Sequence, residues 1–246
     1  MCYYVEYIEK LENYFFDQYG RILDRSFMPA SFLFDLPFYF VGGFEHPKLP
    51  VVHNAGVEMK EWGLIPFWTK DATQANDLRV KTLNAVGETA FEKPSFRDSI
   101  RKRRGLLTVT AFFEWRDVGG KKYPYRISLL NHKIFSLGCI FDNWVDKETG
   151  EVKSTFSILT TNANDLMAAI HNSKRRMPVI IEQGNFKQWL DPETDQEQIL
   201  ALMAPLSSEK MTAYTISQFA NSSRNNRNIP EISEPVDYPE VGTLPT

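Results

Sequence analysis

Residues 104–161 contain four segments that are rich in β-branched and aromatic residues, and these segments decide the fold. They are RGLLTVTAFFEWRD at 104–117, YPYRISLL at 123–130, KIFSLGCIFDNWVD at 133–146 and STFSILTT at 154–161. Between them lie the turn signals Gly119-Gly120, Asn131-His132 and Glu148-Thr149-Gly150. Because such segments favour strands and such turn residues favour chain reversals, the stretch predicts four sequential strands in an antiparallel meander.

Short helices and further strands are predicted on both sides of this stretch. Residues 4–17 carry apolar side chains at helical spacing, which predicts an amphipathic helix that ends before Gly20. Residues 30–53, rich in aromatic residues, Pro and Gly, predict strands and turns. After the meander, NANDLMAAIHN predicts a short helix with Asn162 or Asn164 as its N-cap. The later elements predicted are a strand at MPVII, short helices at NFKQWL and EQILALMAP, and a strand at KMTAYTIS.

This order of elements predicts one α+β domain over residues 2–235, followed by an irregular, Pro-rich tail at residues 236–246. The chain has 246 residues, 43% of them hydrophobic and 24% charged, which is typical of a soluble protein with a sizeable core. The net charge of −3 argues against a protein that coats nucleic acid with its whole surface, but it leaves a local basic groove open.

The cysteine count and the first segment predict a cytoplasmic protein. Cys2 and Cys139 are too far apart in the sequence to suggest a disulfide framework. The acidic and basic residues of the first segment exclude a secretory signal and a membrane span. We expect no metal, because His46, His53 and the other two histidines show no paired ligand spacing. No cofactor motif is present either.

Cys2 has two interpretations. It is either a small hydrophobe near the terminus or, once Met1 is removed, an N-terminal residue that offers a thiol and an α-amine together. With ordinary pKa values of about 8 for the amine and about 8.5 for the thiol, both groups are partly deprotonated at neutral pH. Such an amine can form a Schiff base with an aldehyde, and the thiol can then close a thiazolidine ring.

Two titratable residues lie in distinctive surroundings. Glu114 sits between Phe113 and Trp115, either on the exposed face of a sheet or in apolar surroundings that would raise its pKa. His171 falls at the end of a short helix, before the cations at 174–176, which disfavour its protonation. Each residue is compatible with a structural or a catalytic role.

Basic and aromatic segments are candidate contacts for a nucleic acid. The densest basic stretch runs from Arg97 to Arg104, and the next is the cluster at 174–176. Each is either a solvated surface or a site for phosphate. The tryptophans of EWGLIPFW belong either to a packed loop or to a platform on which bases stack.

The order of several motifs resembles the SOS-response-associated peptidase (SRAP) family. These motifs are the initial MC, WGLIPFW, LNAVGET, FFEW and IHN…RMPVII, with VGGFEHPKLPVV and SRNNRNIPEISEPV as further similar segments. The resemblance implies a single α+β domain around a bent, barrel-like antiparallel sheet flanked by short helices. It also implies covalent capture of abasic sites in single-stranded DNA, as part of the response to DNA damage.

The same resemblance assigns roles to four residues. It makes Cys2 the nucleophile and places Asn84 beside the opened sugar as a hydrogen-bond partner. It makes Glu114 the proton donor and acceptor that helps to open the deoxyribose ring. It makes His171 the residue that positions or deprotonates the reacting groups.

Further residues are implied to contact DNA: Trp68, Trp115, Arg176 and either Thr160 or Thr161, with Thr161 preferred. The chain departs from the family pattern at Val86 and Tyr4, where an Arg is common, and at Tyr3 and Phe40, where Gly and Asn are common. The phosphate or substrate contacts made at those positions are either missing in this chain or supplied by Arg79, Arg97 or Lys174. The implied partner is single-stranded DNA with abasic sites, bound by a monomer that associates with the nucleoid.

Three other functions remain open from the sequence. An N-terminal-nucleophile hydrolase would also use Cys2, and would release ammonia from an amide such as glutamine. A peptidase would use Cys2, Glu114 and His171, if only to remove Met1 in cis. A non-enzymatic module would bind intact and abasic single strands alike, through the basic stretch at 97–104 and the tryptophans.

Overall fold

The computed structural model describes residues 2–7, 19 and 37–245, and within them thirteen strands and five α-helices are present. The strands are β1 (Tyr4–Tyr7), β2 (Phe38–Gly42), β3 (Lys48–His53), β4 (Gly56–Trp62), β5 (Asn84–Val86), β6 (Arg104–Val109), β7 (Ala111–Val118), β8 (Lys121–Leu129), β9 (Phe135–Val145), β10 (Val152–Asn162), β11 (Arg176–Pro178), β12 (Ile180–Ile181) and β13 (Met211–Thr215). The helices are α1 (Ala72–Arg79), α2 (Arg97–Lys102), α3 (Asp165–Ile170), α4 (Phe186–Leu190) and α5 (Gln196–Leu202).

Five of the strands close into a barrel. Around the ring, β10 pairs with β4, β4 with β3, β3 with β6, β6 with β9, and β9 with β10 again. The β4–β10 pair is parallel and the other four are antiparallel. Phe156 is paired with Phe141 on one side and Trp62 on the other, and all three side chains are buried in one core. Closure therefore removes the free edges that an open sheet would leave.

A second sheet has the strand order β13-β8-β7-β1-β2. The chain passes from the barrel to this sheet at Thr110, whose hydroxyl donates to Glu6 Oε1 at 2.8 Å. Arg126 also forms an ion pair with Glu6, which is fully buried in β1. Phe112 and Tyr125 of the second sheet share one core with Leu107 of the barrel. The two sheets are therefore packed as a single domain.

The predicted α+β class and barrel-like core are confirmed, but two predicted elements are wrong in detail. The helix predicted over 4–17 is a strand at Tyr4–Tyr7, because this segment pairs with β2 on one side and β7 on the other. Residues 8–17 lie outside the described part of the chain. The predicted meander contains five strands divided between two sheets, since β8 pairs with β7 and β13, whereas β9 pairs with β6, β10 and β12.

Several later predictions are confirmed. Helix α3 begins after Asn164, whose side chain accepts from the Met167 amide. Helices α4 and α5 and strand β13 form in the segments predicted for them. The MPVII segment forms two short strands, β11 and β12, on either side of Val179. In the predicted tail at 236–246, Val241 is buried against the core. The domain boundary predicted at residue 235 stays a prediction.

None of the helices in residues 37–245 is both long and apolar enough to cross a membrane.

Candidate active site

Glu114 is a buried carboxyl group in the middle of β7. Strand alternation places it on the same face as Phe112, and only 4% of the residue is exposed. The interpretation of Glu114 as a residue on the exposed face of a sheet is therefore wrong. Burial raises the pKa of Glu114 to about 7, although the nearby charge of Lys174 acts to lower it. A carboxyl with this pKa can both donate and accept a proton at neutral pH.

His171 faces Glu114 across a short gap. Its Nε2 lies 3.9 Å from Oε2 of Glu114, and its Nδ1 lies 2.9 Å from the carbonyl oxygen of Arg176. Because a carbonyl only accepts, Nδ1 donates, and in the neutral ring Nε2 keeps its lone pair toward Glu114. Burial, with a smaller contribution from Lys174, lowers the pKa of His171 to about 4. Between the two groups, the proton therefore belongs to Glu114.

The turn after α3 sets the position of His171. Asn172 donates to the Asp117 carbonyl at 2.8 Å and accepts from the Asp117 amide at 3.1 Å, which ties this turn to β7. The turn closes through the Arg175 amide, which donates to the His171 carbonyl, with Arg175 at a φ of 49°. That conformation is uncommon for residues other than Gly. Sequence reasoning missed Asn172, and its only signal was its place beside His171.

Cys2 is fully buried just before β1. Its Sγ lies 3.8 Å from the Tyr4 carbonyl oxygen. Burial raises the pKa of the thiol well above its ordinary value, and the charge of Glu114 raises it further. The sequence expectation of a partly ionised thiol is therefore wrong for this environment, because an anion there would be desolvated and close to a second acid. A thiol held in this form needs a base to take its proton.

Asn84 is a buried amide without a hydrogen-bond partner among the described residues. It begins β5, where it pairs with Ile158 of β10, and 8% of it is exposed. Neither its Oδ1 nor its Nδ2 has a partner there. An unpaired buried amide costs free energy, and native structures contain few of them. The side chain is therefore available for a ligand that has both a donor and an acceptor.

Arg176 is held by an acidic residue that the sequence analysis did not single out. Its guanidinium donates to both carboxylate oxygens of Glu88, at 2.8 and 2.7 Å, and to the Thr160 carbonyl at 2.7 Å. Thr160 and Thr161 are both buried in β10. The signal for Glu88 was its position in the LNAVGET motif that also contains Asn84.

The remaining predicted DNA contacts lie in different surroundings. Lys174 is exposed in the turn after α3, and its charge acts on both Glu114 and His171. Trp68 is 38% exposed and donates from Nε1 to the Pro94 carbonyl, in the segment that leads to the exposed Arg97 at the start of α2. These residues form two groups, one at the Glu114–His171 pair and one around Trp68.

Two of the candidate DNA contacts form hydrogen bonds within the protein. Trp115 points to the opposite face from Glu114, packs against Tyr4, and donates from Nε1 to Asn221 at 2.7 Å. Arg104 is buried, and its guanidinium donates to the carbonyls of Ile100 and Trp189. The basic stretch at 97–104 is therefore not one continuous phosphate-binding surface, because its last member points into the protein.

The positions that depart from the family pattern are packed or half-buried. Phe40 is buried and lies against Phe113. Arg79, one of the residues expected to replace a phosphate contact, pairs with Glu61 at 2.9 Å, so its charge is already matched.

Within residues 2–7, 19 and 37–245, no group of three His, Cys, Asp or Glu side chains is arranged to hold a metal ion.

Together these features define an α+β protein with a buried thiol–carboxyl–imidazole site beside a closed five-stranded barrel. The chain belongs to the SOS response associated peptidase (SRAP) family, whose model matches residues 45–223. That range includes Asn84, Glu114 and His171, and it does not include Cys2.

Relatives and a solved structure agree with this assignment. Abasic site processing protein YoqW of Bacillus subtilis (strain 168) is 38% identical over 175 residues, which cover 70% of this chain and 74% of that protein. Abasic site processing protein YoaM of the same organism is 35% identical over 167 residues, which cover 67% and 70%. A crystal structure of a protein from Bacteroides thetaiotaomicron has a TM-score of 0.83 and 37% identity, and covers 96% of this chain and 100% of that one.

Proposed function

We propose that this protein captures abasic sites in single-stranded DNA as a covalent adduct of Cys2, formed after removal of Met1. The observation that carries the proposal is the pairing of Glu114, with a pKa of about 7, and His171 at 3.9 Å beside the buried Cys2. The names of the relatives, abasic site processing proteins, support the choice of substrate.

The first step opens the sugar. An abasic deoxyribose is mostly a closed hemiacetal, and only the open form has an aldehyde. Glu114 donates its proton to the ring oxygen while His171 Nε2, an acceptor in its neutral ring, takes the proton of the anomeric hydroxyl. The C–O bond of the ring breaks and the carbonyl forms. Asn84 offers its free amide N–H and C=O to the hydroxyl and carbonyl groups released.

The second step forms the adduct. The α-amine of Cys2 attacks the aldehyde carbon to give a carbinolamine. Its hydroxyl leaves as water with the proton that His171 took in the first step, and its N–H proton returns to Glu114, so that an imine remains and both side chains are restored. The thiol then adds across the C=N bond, so that sulfur bonds to carbon and the thiol proton ends on nitrogen. His171 is the base that moves this proton, because the thiol is protonated when buried. The product is a thiazolidine, which lacks the labile imine.

Two side activities belong to the same chemistry. The imine acidifies the neighbouring C–H of the sugar, so a fraction of it loses the 3′ phosphate by elimination, which is weak lyase activity. Removal of Met1 in cis would use the same thiol, carboxyl and imidazole as a peptidase does. In this proposal the protein acts as a cytoplasmic monomer and joins the nucleoid when it is bound to DNA.

DNA is held by cations and aromatic side chains around the site. Lys174 and Arg176 lie on the side of His171, where Arg176 would exchange its Glu88 partner for a phosphate, and Trp68 and Arg97 form the second group. Thr161 lies in the β10–β11 pair that carries Arg176, opposite Met177. A single strand suits this arrangement because a complementary strand would cover the sugar that must reach buried groups.

The test is incubation with a single-stranded oligonucleotide that contains one abasic site, followed by denaturing electrophoresis and intact mass. We expect a stable adduct whose mass is protein without Met1 plus DNA minus one water. A matched oligonucleotide with the base present should give no adduct, and an abasic site inside a duplex should react more slowly. Equal non-covalent retention of both single strands, with no adduct, would instead support the DNA-binding module.

A further inference from the structure

An aromatic pair lies next to the proposed nucleophile and has no part in the chemistry above. Tyr3 follows Cys2 in the chain, and its ring centroid lies 4.9 Å from that of Phe44, with 36° between the planes. Phe44 is 56% exposed, whereas Tyr3 is half-buried against the core cluster that contains Cys2. The pair therefore presents apolar ring surface to solvent beside a reactive group.

The backbone holds this pair in place. The Gly43 amide donates to the Tyr3 carbonyl at 2.9 Å, which ties the residue before β1 to the 3-10 turn Gly43–Glu45 that carries Phe44. A Cβ at Gly43 would come within 2.9 Å of the Trp62 ring, so the turn sits directly on that indole. Trp62 is fully buried and donates from Nε1 to the Leu83 carbonyl, one residue before Asn84. The pair is thus anchored to the strand that begins with Asn84.

The Tyr3 side chain also belongs to the face that carries Glu114. The β1–β7 register pairs Tyr4 with Phe113, and its continuation by one residue sets Tyr3 beside Glu114. Residues opposite each other in antiparallel strands share a face. Burial raises the pKa of the Tyr3 phenol, and the charge of Glu114 raises it further, which agrees with this placement.

We propose that Tyr3 and Phe44 form a stacking platform for the nucleobase next to the abasic site. The inference rests on the proposed function and adds a requirement to it, namely an intact neighbouring base. An abasic nucleotide has no ring of its own to bind, so the adjoining base is the aromatic group that arrives with it. Aromatic side chains stack on any base, because every base has a π-face. The platform therefore selects for the presence of a neighbour and not for its sequence.

The experiment compares Phe44→Ala with the wild-type protein on two oligonucleotides. One has normal bases on both sides of the abasic site, and the other has tetrahydrofuran spacers there. We expect Phe44→Ala to raise the half-saturating DNA concentration for adduct formation about tenfold on the first strand. On the second strand the two proteins should not differ. Phe44→Trp, which keeps an aromatic ring, should retain the wild-type half-saturating concentration. Phe219→Ala, which removes another exposed ring, should leave that concentration unchanged.

A binding assay separates failure of the platform from failure of the proposed function. It uses a strand with one tetrahydrofuran in place of the abasic site and 2-aminopurine beside it, so no covalent step is needed. Stacking on Tyr3 and Phe44 should quench the 2-aminopurine fluorescence, and Phe44→Ala should remove that quenching. If adducts form but Phe44→Ala has no effect in either assay, the platform is wrong. If no adduct forms but quenching depends on Phe44, the platform stands and the capture chemistry is wrong.

Discussion

The Nε2 atom of His171 lies 3.9 Å from Oε2 of Glu114, and its Nδ1 donates to the carbonyl oxygen of Arg176. The two pKa values are shifted in opposite directions by the same cause, burial, to about 7 for Glu114 and about 4 for His171. This reverses the ordinary order of a carboxyl and an imidazole. It gives the site an acid and a base that are both in the needed form near neutral pH.

The first prediction concerns the pH dependence of adduct formation. Adduct formation needs the protonated form of Glu114 and the deprotonated amine of Cys2. Glu114 loses its proton above about pH 7, and the fraction of deprotonated amine rises up to about pH 8. We therefore expect a bell-shaped profile with its maximum between these values. Glu114→Gln should lower the maximum about 100-fold or more and remove the descending limb. A descending limb that persists in Glu114→Gln would assign the acid to another group.

The second prediction concerns stability. The folded pKa of Glu114, about 7, lies above the unfolded value of about 4.3, so the folded state binds an extra proton between them. Stability contributed by this neutral carboxyl is present below about pH 4 and is lost as the pH rises through about 7. Relative to wild type, Glu114→Gln should thus gain up to about 4 kcal/mol of unfolding free energy by pH 8. Denaturant unfolding at several pH values measures the difference.

His171 provides the internal control, because its contribution to the unfolding free energy changes with pH in the opposite direction. Its folded pKa of about 4 lies below the unfolded value of about 6.5, so the neutral ring loses stability as the pH falls through that window. His171→Gln should become more stable relative to wild type at acid pH only. A gain for both variants in the same pH range would contradict the assignment of charges.

The third prediction separates the two cysteines. Cys2→Ala keeps an α-amine, so it should form an imine that borohydride traps, together with weak strand cleavage, but no durable adduct. Cys139→Ala is the matched control, since Cys139 is equally buried but lies in β9 of the barrel. It should form adducts like the wild type. Durable adducts from Cys2→Ala would rule out the thiazolidine.

The fourth prediction concerns Asn84. Because neither amide atom has a partner among the described residues, Asn84→Ala removes no hydrogen bond of the described protein. The unfolding free energy should stay the same or rise by about 1 kcal/mol, while the rate of adduct formation falls about tenfold or more. Asn164→Ala is the contrasting variant, since it removes the N-cap of α3 and should cost about 1 kcal/mol. Equal destabilisation by both would show that Asn84 has a structural role.

The fifth prediction distinguishes cations that bind DNA from cations that hold the fold. Lys174→Ala should weaken binding to single strands and reduce the salt slope of the binding constant by about 0.7, the loss of one phosphate contact. Lys147→Ala, in the turn between β9 and β10, should leave the slope unchanged. Arg104→Ala should lower the unfolding midpoint, because its guanidinium bridges the Ile100 and Trp189 carbonyls. A salt slope unaffected by Lys174→Ala would place the DNA elsewhere.

The sequence by itself determined most of the local elements and indicated the candidates for the reactive groups. Alternating apolar residues predict strands wherever they pack against a core, and Asn164 caps its helix through its own side chain, so both follow from nearby residues. The order of motifs indicated Asn84, Glu114 and His171 for the same reason, since each lies in a short, recognisable segment.

Only the tertiary structure decided how these segments meet. Local periodicity favoured a helix at Tyr4–Tyr7, but pairing with β2 and β7 makes it a strand. Periodicity also carries no information about which strands become neighbours, so it could not give the parallel β4–β10 pair that closes the barrel. The pKa values of Glu114 and His171 depend on burial by residues distant in sequence. Desolvation is a property of the folded surroundings, and for that reason the chemistry of this site is set by the fold.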